Sequence, residues 1–193
     1  GHSSASFDQE GEDVKLDRTR AALAVIDVQE AFRPVVVDFE QVARGAAVLV
    51  QGARIMDIPL LVTEQYPGGL GHTVPEVADH LVGVPRVEKV CFSAVDAQQF
   101  ADALRDSGRR QVLLCGIESH VCVGQTADDL LADGFEVHVV EDAVTSRTKE
   151  NRRLGLHKME RAGAVATSVE TALFELLRKA GTPEFKEVQK LVK

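Results

Sequence analysis

The sequence predicts a three-layer α/β/α domain built on a mostly parallel sheet of about six strands. Three observations carry that expectation. Segments of strand character alternate with segments of helical period along the chain, the pattern of βαβ units. The run at residues 21–28 is apolar almost without interruption, as central parallel strands are when helices cover both faces. A length of 193 residues is enough for one domain with a full core. With 45% apolar residues, only 5% aromatics and no Trp, that core is aliphatic.

Residues 1–17 are expected to form a disordered or extended arm. Gly1 and His2 resemble the remnant of a cleaved tag, and the acidic, polar stretch behind them has too little apolar content to fold alone. No secretory leader is expected there. The folded domain is expected over 18–193.

Residues 21–28 form the first strand, and Asp27 is out of place in it. An acid at the end of a buried strand either caps a loop or lines a site. Gln29, Phe32, Arg33 and Pro34 follow in a loop that overhangs the same edge. Residues 39–56 have helical spacing, with Val42, Ala46, Leu49, Val50 and Ala53 on one side. Residues 58–64 form a second strand, at whose start Pro59 costs no ladder bond. The long loop at 65–75 holds Gly68, Gly69 and Gly71. Their spacing matches neither a P-loop nor a dinucleotide fingerprint, so the loop reads as a flap or pocket wall.

Residues 87–93 are short and strand-like, with Lys89 between Glu88 and the apolar Val90. Residues 96–107 form a helix with Phe100 and Leu104 inward. Residues 111–116 form an apolar strand that ends at Gly116. Cys122 then opens a segment of helical period that holds Ala127, Leu130 and Leu131. A strand at 136–143, a hydroxyl-rich turn at 144–147, a helix at 149–162, a strand at 164–169 and a helix at 170–180 complete the alternation. In the tail, Phe185, Val188, Leu191 and Val192 make an amphipathic segment that must dock on its own domain or on a partner subunit.

The net charge of −8 argues against nucleic acid and against an anionic membrane surface. No apolar run approaches the ~20 residues of a membrane span. The three cysteines, Cys91, Cys115 and Cys122, suggest neither a disulfide framework nor a zinc site, and fit a reducing, cytoplasmic compartment. Cys91 and Cys115 read as core residues.

Asp27, Lys89 and Cys122 fall at or just beyond the C-terminal ends of predicted strands, where open α/β folds bind ligands. Taken alone, each has a bland reading: a hydrogen-bonded structural acid, a solvated lysine, a small buried thiol. Brought together they are chemistry. A helix N-terminus and an ammonium both push a thiol toward its thiolate, while a neighbouring carboxylate opposes this.

This pattern resembles the isochorismatase-like cysteine hydrolases. It consists of Asp27 after an apolar strand, Lys89 before Val90 and Cys91, and Cys122 after Gly116, Ile117, Glu118, Ser119 and His120. The stretch from Thr63 through Gly71 and the tail from Phe185 to Leu191 are similar to the isochorismatase domain-containing subgroup. The resemblance implies an Asp–Lys–Cys triad of Asp27, Lys89 and Cys122. It also implies an oxyanion hole from the backbone N–H groups of Glu118 and Cys122, and a cis peptide between Ile117 and Glu118. Phe32, Tyr66, Leu70 and His120 are candidate substrate-binding walls.

Family nicotinamidases hold a metal with an Asp-x-His pair and a further His. Here Gln29 stands two residues after Asp27, and the histidines show no ligand spacing. No metal and no other cofactor is therefore expected. The expected activity is hydrolysis of a small carbonyl substrate at a C–N bond, amide or imide, by a homodimer or larger homo-oligomer. The alternatives are vinyl-ether hydrolysis of the isochorismatase kind, or a non-catalytic interaction or redox-responsive role.

Overall fold

The fold comes from a computed structural model, which describes residues 14–193. Residues 1–13 of the expected arm lie outside the described residues. Within the rest of that arm Leu16 is fully buried in the core.

Six strands form one all-parallel sheet: β1 (Ala21–Ile26), β2 (Leu60–Gln65), β3 (Arg86–Lys89), β4 (Gln111–Ile117), β5 (Glu136–Thr145) and β6 (Val165–Thr167). Their spatial order is β3-β2-β1-β4-β5-β6. β1 and β4 are buried along their whole length because helices cover both faces. One face carries α1 (Phe39–Ile55), α7 (Val169–Leu177) and α8 (Pro183–Leu191). The other carries α4 (Gln98–Ser107), α5 (Cys122–Ala132) and α6 (Lys149–Ala162).

Side-chain alternation sorts each strand between two aliphatic cores. Leu23 and Val25 pack toward α1, and Ala22, Ala24 and Ile26 toward α5. All five residues expected on the inner side of α1 are buried. The tail is helical and docks on its own domain: Val188 is fully buried in the α1 core, and Phe185 packs against Phe174.

Three local expectations need correction. Residues 65–75 are not plain loop: two short helices, α2 (Pro67–Leu70) and α3 (Pro75–Ala78), each begin with a proline at a position that needs no N–H. Val144 and Thr145 extend β5 rather than turning. β3 stops at Lys89, so Cys91 lies in a bend and is half-exposed, not core.

Chain order runs outward to one side from β1 and to the other from β4. The switch point of this doubly wound sheet is therefore the crevice beyond the C-terminal ends of β1 and β4. Gly116 sits at that seam with φ of +127°. A Cβ there would lie 2.0 Å from the Ile26 carbonyl oxygen, so only glycine lets the two strand ends approach this closely.

Candidate active site

Asp27 leaves β1 with φ of +54°, a left-handed conformation that Asp tolerates better than most residues. Its carboxylate accepts from the Thr63 hydroxyl at 2.7 Å and from the Lys89 ammonium at 2.9 Å. Lys89 ends β3, two strands away, and its stem crosses the end of β2 to reach the acid. Its Nζ also donates to Gln65 Oε1 at 2.7 Å and faces the carbonyl oxygens of Cys91 at 3.1 Å and Phe92 at 2.9 Å. Both charged side chains are completely shielded from solvent. A buried ion pair persists only when its remaining donors and acceptors are met, and here Thr63, Gln65 and two carbonyls meet them.

Cys122 is the first residue of α5 and is nearly buried, at 7% exposure. Burial pushes its thiol up to about 12, the Asp27 carboxylate adds to the rise, and Lys89 opposes it. In the sequence argument the helix start and the ammonium point downward and the carboxylate upward. Desolvation and the neighbouring acid outweigh both, so the resting thiol holds its proton at neutral pH.

The segment between β4 and α5 is tied down at several points. The Ile117–Glu118 peptide is cis. The Glu118 carbonyl accepts from Val121 and Val123 N–H at 3.1 Å each. Its carboxylate accepts from the Arg147 N–H at 3.0 Å, and Arg147 Nε lies 3.5 Å away. Ser119 Oγ pairs with Ser146 Oγ at 2.8 Å, and His120 Nδ1 with the same Ser146 Oγ at 2.9 Å. No hydrogen bond among the described residues takes up the N–H of Glu118 or of Cys122.

The thiol opens into a cleft of about 560 Å³. Phe32, Tyr66, Leu70 and His120 line it, and Phe92, Val121, Arg147 and Asn151 do so as well. The sequence reading missed these last four. Arg147 and Asn151 follow the C-terminal end of β5, which was read as turn and helix. Position just past a parallel strand beside β4 was the available signal.

The metal of the nicotinamidases has no fit here. Gln29, two residues after Asp27, is buried and spends its amide on the backbone: Nε2 donates to the Gln65 and Gly71 carbonyls at 2.8 Å each, and Oε1 accepts from Gln65 N–H at 2.7 Å. The nearby Glu64 carboxylate is likewise engaged by the Thr73 N–H and hydroxyl. Among the described residues no three His, Cys, Asp or Glu side chains gather as a ligand set. None of the described helices is long and apolar enough to cross a membrane.

Comparison with known proteins agrees with this architecture. Isochorismatase domain-containing protein 2A of Mus musculus is 44% identical over 171 residues, covering 89% of this chain and 82% of that one. A protein of Phytophthora sojae named secreted isochorismatase effector Isc1 is 43% identical, covering 90% of this chain and 84% of that one. Among solved structures, the MAR1 ribonuclease of Caenorhabditis elegans superposes with a TM-score of 0.88 at 42% identity, covering 92% of each chain. YcaC from Pseudomonas aeruginosa, with hexane-2,5-diol and covalent acrylamide, superposes with a TM-score of 0.85 at 26% identity, covering 92% of this chain and 91% of that one. Residues 21–171 match the isochorismatase domain, and the chain belongs to the isochorismatase family, alongside the isochorismatase domain-containing proteins.

Proposed function

We propose that this protein is a cysteine hydrolase acting on a small carbonyl substrate at a C–N bond, with Cys122, Asp27 and Lys89 as its catalytic residues. The observation that carries the reading is the buried Asp27–Lys89 pair acting on the Cys122 thiol at the mouth of a cleft. A fully satisfied ion pair in such a place is costly to maintain for packing alone.

The chemistry follows from the neutral resting thiol. Asp27 takes the Cys122 proton as Sγ bonds to the substrate carbonyl carbon, and the carbonyl π electrons move to oxygen. The uncommitted N–H groups of Glu118 and Cys122 hold that oxyanion. Loss of one such donor typically costs ~10²–10³ in turnover. Collapse breaks the C–N bond, and Asp27 returns its proton to the leaving nitrogen. Water then adds to the thioester through Asp27, releasing the carboxylic acid and restoring the thiol. Lys89 favours the transient thiolate and orients Asp27. The covalent acrylamide in the YcaC structure supports the reading, because acrylamide is an electrophile that thiolates attack.

A panel of amides, imides and esters tests the proposal, with each hydrolysis repeated in Cys122→Ala. Turnover that depends on Cys122 supports it. A vinyl-ether hydrolase would show the opposite ranking, with Asp27→Asn inactive and Cys122→Ala still active.

The name of the Caenorhabditis elegans neighbour suggests ribonuclease activity. An acidic chain with one arginine in its cleft offers little to a phosphate backbone, and this argues for a small-molecule substrate. We further propose a homodimer or larger homo-oligomer. Tyr66 and Phe92, which line the cleft, and Val90 are large hydrophobic side chains left exposed. A monomer by light scattering at micromolar concentration would refute this. The three unpaired cysteines favour a reducing, cytoplasmic setting, which cell fractionation tests against the secretion named for the Phytophthora relative.

A further inference from the structure

We infer that the cleft takes a substrate with a carboxylate on a flat apolar body, and that Arg147 is the specificity-determining residue that binds the carboxylate. The inference rests on the hydrolase reading only for which bond is then cleaved.

The cleft has two unlike sides. Phe32, Tyr66, Leu70 and Phe92 offer apolar and aromatic surface, and Arg147 and Asn151 offer polar groups. Most other polar groups nearby are already spent. The Gln65 amide accepts from Lys89 and donates to the Val90 carbonyl. His120 Nδ1 pairs with Ser146, and only its Nε2 makes no hydrogen bond among the described residues. Lys89 is consumed by Asp27, Gln65 and two carbonyls.

Arg147 differs. Its main chain is pinned by the bond from its N–H to Glu118, and Glu118 also takes its Nε side at 3.5 Å. Among the described residues no acceptor engages its two Nη groups, and its side chain is 67% exposed. The guanidinium thus has a fixed root, one occupied edge and an open two-donor edge. That open edge matches the two oxygens of a carboxylate.

Among the described residues Arg147 is the one Arg or Lys side chain that lines the cleft, and the nearby Arg152 turns inward onto the carbonyls of Val144 and Glu141. A phosphate dianion would need a second free cation inside the cleft, and Lys89 is not free. A planar monoanion is the better match.

Benzoate and its neutral counterpart benzamide test the assignment on the full chain by ligand-observed NMR. Wild type should bind benzoate in the millimolar range and benzamide about tenfold more weakly. Arg147→Gln should erase the difference, and Arg147→Lys should keep part of it. Equal binding of the two compounds, no binding of either, or a benzoate preference that survives Arg147→Gln would overturn the assignment. The contrast within wild type decides even if a variant fails to fold. Labelling with iodoacetamide keeps the two readings apart. Benzoate preference with an inert Cys122 leaves the carboxylate site and removes the hydrolase. A reactive Cys122 without that preference does the reverse.

Discussion

Lys89 reaches across the end of a neighbouring strand to place its ammonium 2.9 Å from the Asp27 carboxylate, with neither side chain exposed to solvent. This one contact joins β3 to β1 over β2 and fixes the floor of the cleft. Removing one partner leaves a buried charge without its counterion. Lys89→Met should therefore destabilise the fold by about 3–5 kcal/mol, and the double variant Asp27→Asn with Lys89→Met should recover part of that loss. Urea unfolding of the two single variants and the double variant measures the coupling.

The thiol makes stability depend on alkaline pH. Folding keeps the proton on Cys122 from its ordinary 9.0 up to about 12. The resulting stabilisation is complete below the unfolded value and is lost as pH rises through that window. Within it the unfolded chain has released a proton that the native state keeps, so the slope is negative, at ~1.4 kcal/mol per pH unit per proton. Cys115, pushed up to about 12 by burial alone, contributes in the same sense. Cys122→Ser should flatten the fall in unfolding free energy between pH 9 and pH 12 by about one proton's worth. An unchanged slope would show that Cys122 is not shielded as described.

Gly155 of α6 lets that helix touch the backbone that carries Ser119 and His120. A Cβ there would stand 2.5 Å from the Ser119 carbonyl carbon and oxygen and 2.6 Å from the His120 nitrogen. Backbone cannot yield as a flexible side chain does. Gly155→Ala should cost about 1–3 kcal/mol despite alanine's better helix propensity, and should slow alkylation of Cys122 by shifting the loop before α5. Gly68→Ala, where nothing lies within 4 Å, is the matched control. Thermal unfolding and labelling rates of the two variants check the difference.

Chelation should leave the activity intact. Gln29 is committed to backbone and Glu64 to Thr73 and His72, and among the described residues no three His, Cys, Asp or Glu side chains gather as a ligand set. Assaying Cys122-dependent turnover with and without EDTA checks this. Loss on chelation with recovery on adding zinc or iron would contradict the site chemistry.

Much of the site's position was legible because topology alone carries it. Asp27 and Cys122 follow the apolar strands β1 and β4, Lys89 ends the short β3, and parallel strands deliver their C-terminal ends to one edge. The partners were not legible. Gln65 meets Lys89 because those two residues are paired in the register between β2 and β3, which a hydrophobic pattern does not specify. Arg147 and Asn151 were hidden because the hydroxyl-rich residues before them read as a turn, whereas Val144 and Thr145 continue β5. The thiol's charge state was open in the sequence, where the Asp27 carboxylate opposes helix dipole and ammonium, for an energetic reason. Helix dipole and ammonium can be inferred from order along the chain, but the desolvation that outweighs them depends on how tightly the crevice closes around Sγ.

The rate at which iodoacetamide alkylates Cys122, resolved by peptide mass from Cys91 and Cys115 and compared among wild type, Lys89→Ala and Asp27→Asn at pH 7, tests the triad most directly. Wild type should label at Cys122 ahead of the buried Cys115. Lys89→Ala should slow Cys122 strongly, because an unopposed carboxylate and a desolvated thiol both resist ionisation. Asp27→Asn should label at least as fast as wild type while losing turnover, because it removes the repulsion together with the base. If Lys89→Ala labels as fast as wild type, the ammonium does not act on the thiol, and the assignment of Asp27, Lys89 and Cys122 as one catalytic unit is wrong.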